Sequence, residues 1–135
     1  MPRLAKGGKW VFGWTVVGPG GELCIPPEAW DEYQFQVGDE VAWMPGSKRS
    51  GGFGLSHPRL LAQLPAQFQD RALAWSRIEA KRRALVPPQA GVQPGQRLLV
   101  VRGSGRALGL LVRGPIYEEA CRHSDLAWFD SGCAS

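Results

Sequence analysis

Several features that mark membrane and secreted proteins are scarce in this chain. No run of about 18 apolar residues is present, so no transmembrane helix is expected. The basic N-terminus leads into no long apolar segment, which disfavours a secretory signal. The three cysteines, Cys24, Cys121 and Cys133, are odd in number and include no close pair, so a disulfide scaffold is improbable. These absences predict a soluble protein of the reducing cytoplasm, without a membrane role.

Groups that carry catalysis or bind metals are equally scarce. The chain has two histidines, and neither lies in a recognisable motif beside a serine or cysteine nucleophile. Cys121 and His123 are two residues apart, which places them on different faces of a helix, and no Cys-x-x-Cys is present. No glycine-rich segment has the spacing of a P-loop. We therefore predict a protein that is not an enzyme and that has no cofactor and no metal site.

Glycine and proline, by contrast, are abundant. The 18 glycines and 11 prolines separate short apolar runs, a pattern typical of many turns and short strands. The length of 135 residues suits one domain. The net charge of +4 and pI of about 9.3 are compatible with nucleic-acid binding, and equally with an ordinary solvated basic surface.

The sequence repeats itself. Trp14 precedes Pro27 by 13 positions, and Trp75 precedes Pro88 by the same 13 positions. The similarity continues, with two small gaps, from residues 35–41, 46–49 and 53–55 to residues 92–98, 103–106 and 108–110. A repeat of this kind has to be identified before any fold is assigned. It predicts one domain over 1–135, built from a first unit (10–55), a helical linker (56–74), a second unit (75–114) and a C-terminal helix and tail (115–135).

The repeat also decides the structure of residues 75–86. Their Ala, Arg, Glu and Leu content favours a helix by propensity alone. They align, however, with a segment that contains Gly18-Pro19-Gly20-Gly21 and cannot be helical. We therefore predict strand, turn and strand, with the turn at residues 79–82. Trp14 and Trp75 are repeat mates and are predicted to be twin core anchors, and Trp10 is predicted to face the same side as Trp14.

Each unit resembles the AbrB/MazE/SpoVT swapped-hairpin family. The first unit has Ile25-Pro26 and, after a short connector, Val37-Gly38-Asp39; the second has Val86-Pro87 and Pro94-Gly95-Gln96. The resemblance implies a mainly β barrel in which the two units interleave as an intramolecular pseudo-dimer. It also implies a DNA-binding transcriptional regulator, acting as a monomer or a homodimer.

The basic residues of the two units differ. The first unit has acids on its connector, at Glu28, Asp31 and Glu32, which would repel phosphates. The second unit supplies the predicted phosphate contacts, which are Arg77, Lys81, Arg82 and Arg83. A further anion site is predicted at the two equivalent Gly-Ser-x-Arg turns, with Lys48, Arg49 and Arg106. The alternative function is a non-catalytic module that binds a protein partner or a small anion on the same barrel. Both basic groups are also compatible with ordinary solvated turns.

Overall fold

A computed structural model describes residues 10–46, 51–62, 71–103 and 107–129 of the chain. The described residues form a mainly β structure with few helices, in agreement with the predicted class. Nine strands in this part of the chain make one sheet, in the order β2-β6-β5-β3-β4-β8-β7-β1-β9. The Thr15 hydroxyl donates a hydrogen bond of 2.8 Å to the Cys24 carbonyl, which links β1 to β2 and nearly closes the sheet into a barrel.

The elements follow the short-strand pattern that the glycines and prolines indicated. The strands are β1 (Val11–Val16), β2 (Glu22–Cys24), β3 (Glu40–Pro45), β4 (Phe53–Ser56), β5 (Ala74–Glu79), β6 (Arg83–Leu85), β7 (Arg97–Arg102), β8 (Leu108–Leu111) and β9 (Trp128–Phe129). The helices are α1 (Pro27–Tyr33), α2 (Pro58–Leu61) and α3 (Pro115–Ala120), with a 3₁₀ turn at Pro88–Ala90. Each of them begins with a proline, which has no backbone N–H to leave unpaired in the first turn.

Most strand pairs join the first half of the chain to the second. β1 pairs with β7, β3 with β5, β4 with β8 and β2 with β6, all antiparallel. Within a half, the pairs are β3 with β4, β5 with β6 and β7 with β8. Because backbone polar groups have to be paired when they are buried, neither half supplies all the partners of its own strands.

Backbone hydrogen bonds recur at positions that the sequence repeat equates. The N–H of Gly38 donates to the Ile78 carbonyl, and the N–H of Gly95 donates to the Val17 carbonyl. The Gln36 N–H donates to the Asp39 side chain, as the Gln93 N–H does to the Gln96 side chain. The predicted strand, turn and strand over 75–86 are likewise present as β5 and β6.

Alternating residues of the strands supply two apolar clusters. On β7, Leu98 and Val100 belong to the larger cluster, whereas Leu99 and Val101 face the smaller one. The larger cluster also takes in α1, through Ala29 and its neighbours. The smaller cluster is covered by α3 and the segment that follows it, and its buried members are Val11, Trp14, Leu99, Val101, Ala120 and Leu126.

Two predictions about tryptophan are wrong. Trp14 is a core residue, with 2% of its surface exposed, but Trp75 is 46% exposed and is no core anchor. The β1–β7 register shifts between Val11 and Gly13, so Val11 and Trp14 share one cluster while the alternation from Trp10 to Trp14 is broken. A bulge inserts one residue into a strand and reverses the facing of the side chains beyond it.

The cysteines also differ from expectation. Cys24 is buried on β2 and is disulfide-bonded, which the odd number of cysteines had made improbable. Cys121, beyond the end of α3, is free and exposed. The cytoplasmic location therefore stays a prediction, because disulfides are rare in reducing compartments. No helix in the described ranges has the length and apolar character needed to cross a membrane.

One ion pair fastens the turn before β3. Both Nη atoms of Arg59 contact the Asp39 carboxylate, at 2.8 and 2.9 Å, and Nη2 also donates to the Gln34 carbonyl. Gln34 adopts a left-handed conformation at the end of α1. The Arg59 hydrogen bond lowers the pKa of Asp39, with burial opposing this shift and the Gln36 N–H adding to it. The pair thus ties α2 to the α1–β3 turn.

We expect Asp39→Asn to lower the free energy of unfolding at pH 7 by about 1 kcal/mol. Because the folded protein holds the Asp39 pKa below its unfolded value near 4, this stabilisation is present above that pH and is lost as the pH falls through the folded pKa. The free energies of unfolding of the two proteins, measured in urea, should therefore converge as the pH falls toward about 2. Asp31→Asn, on the exposed side of α1, is the control. An equal gap at pH 7 and pH 2 would contradict the account.

Candidate nucleic-acid interface

The predicted phosphate contacts lie on one hairpin of the second half. We call β5, β6 and the turn between them the basic hairpin, residues 74–85. Arg77 is an exposed residue of β5, Lys81 and Arg82 form the tip, and Arg83 begins β6. The structure therefore brings all four predicted contact residues onto one antiparallel pair of strands.

The tip has an uncommon backbone conformation. Lys81 has a φ of 63° and Arg82 a φ of 58°, both in the left-handed region. Residues with a side chain are disfavoured there by about 1–2 kcal/mol each, and glycine or asparagine is the usual residue at such positions. In the first half, the turn before β2 has Gly21 with a φ of 78°. The second half has two cations where the first has glycines, at a cost in stability.

Hydrogen bonds hold the tip against the first half. The Ile25 N–H donates to the Arg82 carbonyl at 2.8 Å, and Arg82 Nε donates to the Ile25 carbonyl at 3.3 Å. Arg83 Nε donates to the Ala80 carbonyl at 3.2 Å, which closes the turn. Ile25 lies two residues before α1, so the tip is beside the start of that helix.

The charges of the hairpin are unevenly distributed. Glu40 of β3 is the cross-strand partner of Arg77, and Glu79 is the partner of Arg83. Opposite charges across neighbouring strands offset each other. Arg77 and Arg83 therefore each lie across from an acidic residue of a neighbouring strand.

An exposed aromatic ring lies on the same hairpin. Trp75 is two residues before Arg77 on β5, and both side chains are on the exposed face of that strand. Exposed aromatic rings flanked by cations are the arrangement on which nucleic-acid bases stack. The sequence did not reveal this feature, because the repeat equates Trp75 with the buried Trp14.

A second cluster, which the sequence did not reveal, surrounds Arg97. Its guanidinium carbon is 4.2 Å from the ring centre of Trp14 and 5.8 Å from that of Trp128. Arg97 Nε donates to the Tyr117 hydroxyl at 3.1 Å, and Nη2 contacts Cys121 Sγ at 3.1 Å. These residues come from β7, β1, β9, α3 and the turn after α3. No local sequence pattern therefore predicts that they form a cluster. The cluster fastens the C-terminal segment to the sheet.

The other predicted sites have different outcomes. Lys48, Arg49 and Arg106, the candidate anion site, lie outside the described residues. Within the described ranges, no group of three or more histidine, cysteine, aspartate or glutamate side chains could hold a metal ion. Glu32 of the acidic connector pairs with Arg102 at the end of β7.

Comparison with known proteins assigns no family. No protein-family model matches the chain, and neither a curated protein nor a solved structure does so. The conformation, charge and exposure of the basic hairpin are thus the observations from which a function can be argued.

We expect Lys81→Asn combined with Arg82→Gly to raise the free energy of unfolding by about 1 kcal/mol, because asparagine and glycine adopt a positive φ with less strain than lysine and arginine do. This expected value is a net gain, because the variant also loses the hydrogen bond from Arg82 to the Ile25 carbonyl. Urea unfolding of the two proteins measures it. As a matched control, Gly21→Ala should destabilise by about 1 kcal/mol through φ alone, since the added Cβ meets no atom within 4 Å. A loss of stability in the Asn-Gly variant would contradict the strain argument.

Proposed function

We propose that this chain is a DNA-binding regulator of the AbrB-like swapped-hairpin type, with the tip of the basic hairpin as its main phosphate contact. The observation that carries the proposal is the pair of left-handed cations, Lys81 and Arg82. Strained backbone conformations in folded proteins are concentrated at functional sites, where they position the groups that carry the function. Here the strained turn carries two cationic residues, Lys81 and Arg82.

The strand pairing supports the architectural part of the proposal. In a swapped-hairpin barrel, the first strand of one unit pairs with a strand of the other. β1 with β7 and β5 with β3 are pairs of this kind, and β2–β6 and β4–β8 join corresponding strands. The matched hydrogen bonds at Gly38 and Gly95 agree with an intramolecular pseudo-dimer.

The two halves would contact DNA unequally. The turn between β1 and β2 has Gly18 to Gly21 and is followed by Glu22, with no cation there. Antiparallel pairing of β2 with β6 places the two tips at opposite ends of these strands. The proposed interface is therefore one-sided, and its target need not be a palindrome.

A second function has an observation in its favour. The basic tip contacts Ile25, and the exposed acids Glu28 and Asp31 follow on α1. A surface with both signs of charge suits a protein partner as well as it suits a polyanion. A non-catalytic module that binds a protein partner is accordingly the alternative, and DNA titration separates the two.

The test is the salt dependence of binding to a mixed pool of duplex DNA. Each phosphate contact adds about 0.9 to the slope of log K against log salt concentration. The Lys81→Asn, Arg82→Gly variant should therefore lower the slope by about 2. Arg113→Gln with Arg122→Gln removes two charges elsewhere on the surface and should change the slope less. An unchanged slope in the tip variant would overturn the proposed contact, and no binding by the wild-type chain at low salt would favour the protein-partner module.

A further inference from the structure

Trp75 lies on an open part of the sheet, unlike its repeat mate. Tyr117 packs edge-on against Trp14, with ring centres 5.0 Å apart, and Trp128 stacks on it at 5.7 Å. Among the described residues, no aromatic ring packs on Trp75 in this way. Trp75 is 46% exposed, although burying a tryptophan is strongly favourable. An uncovered ring of this size is a place where a ligand can gain contact area.

Backbone pairing with β3 holds the strand segment that carries this ring. Trp75 is the cross-strand partner of Ala42, and the Leu73 N–H donates to the Trp43 carbonyl at 2.7 Å, which extends the pairing with β3. Ala42 contributes only a methyl group opposite the indole. The ring is therefore carried by a paired strand and has a small neighbour on that side.

The residues on either side complete a continuous exposed row. Leu73, Trp75 and Arg77 alternate with buried or half-buried residues, so their side chains are on one face of the chain. We call these three residues the stacking row. At about 3.3 Å per residue, Lys81 at the cationic tip is about 20 Å from Trp75 along the same hairpin. One surface thus presents an apolar side chain, an aromatic ring, a guanidinium and a basic tip.

We propose that the stacking row binds unpaired bases of a single-stranded nucleic acid, with one base stacked on the Trp75 indole. In a duplex, both faces of a base are already stacked on neighbouring pairs, so an exposed ring on the sheet surface finds its partner in an unpaired base. Arg77 supplies a cation beside the stack, and the tip supplies phosphate contacts. The inference rests on the proposed function of the tip and extends its ligands from duplex DNA to unpaired strands.

Fluorescence anisotropy with a labelled oligothymidine of about 12 nucleotides, and with a duplex of equal length, tests the inference. Trp75→Leu keeps apolar bulk without an aromatic face and should weaken single-strand binding by about 5- to 100-fold, with little change for the duplex. Trp75→Phe should restore most of the affinity. Trp128→Leu removes the other largely exposed tryptophan and should leave single-strand affinity unchanged.

The outcomes separate the two proposals. Single-strand affinity that is equal in the wild-type chain and Trp75→Leu would overturn the stacking row while leaving the tip contact untouched. Loss of single-strand affinity in Trp75→Leu, with recovery in Trp75→Phe, would support it. Absence of binding to both nucleic acids would overturn the tip contact and the stacking row together. Urea unfolding of each variant confirms that an altered affinity does not come from unfolding.

Discussion

The structure depends on backbone pairing between its two halves. β1 finds its antiparallel partner in β7, and β5 finds one in β3, so the first strand of each half is hydrogen-bonded to the other half. This exchange sets the position of every functional candidate described above. It places the basic tip against Ile25 of the first half, and it leaves Trp75 on the outer face of β5 partly exposed. A half on its own would expose unpaired strand edges, which are prone to association.

Similar halves acquire different surfaces because different segments cover them. The outer face around Trp14 is buried by α3 and Trp128, and the Arg97 guanidinium joins these rings. The face around Trp75 is left largely open. The turns differ in the same way, since glycine on one side is replaced by lysine and arginine on the other. The two halves of the barrel-like sheet therefore present different surfaces around these tryptophans and turns.

The strands were predictable from the sequence because the repeat carries information that local propensity lacks. Residues 75–86 favour a helix by composition, yet they form β5 and β6, as the alignment with Gly18 to Gly21 predicted. The exposure of Trp75 and the cluster around Arg97 were not predictable in this way. They depend on which segments pack over each face, and an alignment of backbone positions does not contain that information. The bulge near Gly13 was missed because simple alternation assumes an unbroken ladder.

The central claim is that nucleic acid contacts the basic hairpin, and a titration followed by backbone amide NMR tests it most directly. When duplex DNA is added to the labelled chain at low salt, the account predicts the largest shift changes in residues 77–83. It predicts small changes in α3 and in the turn at Gly18 to Gly21. Changes concentrated on α1 or α3, with the hairpin tip unaffected, would contradict the account.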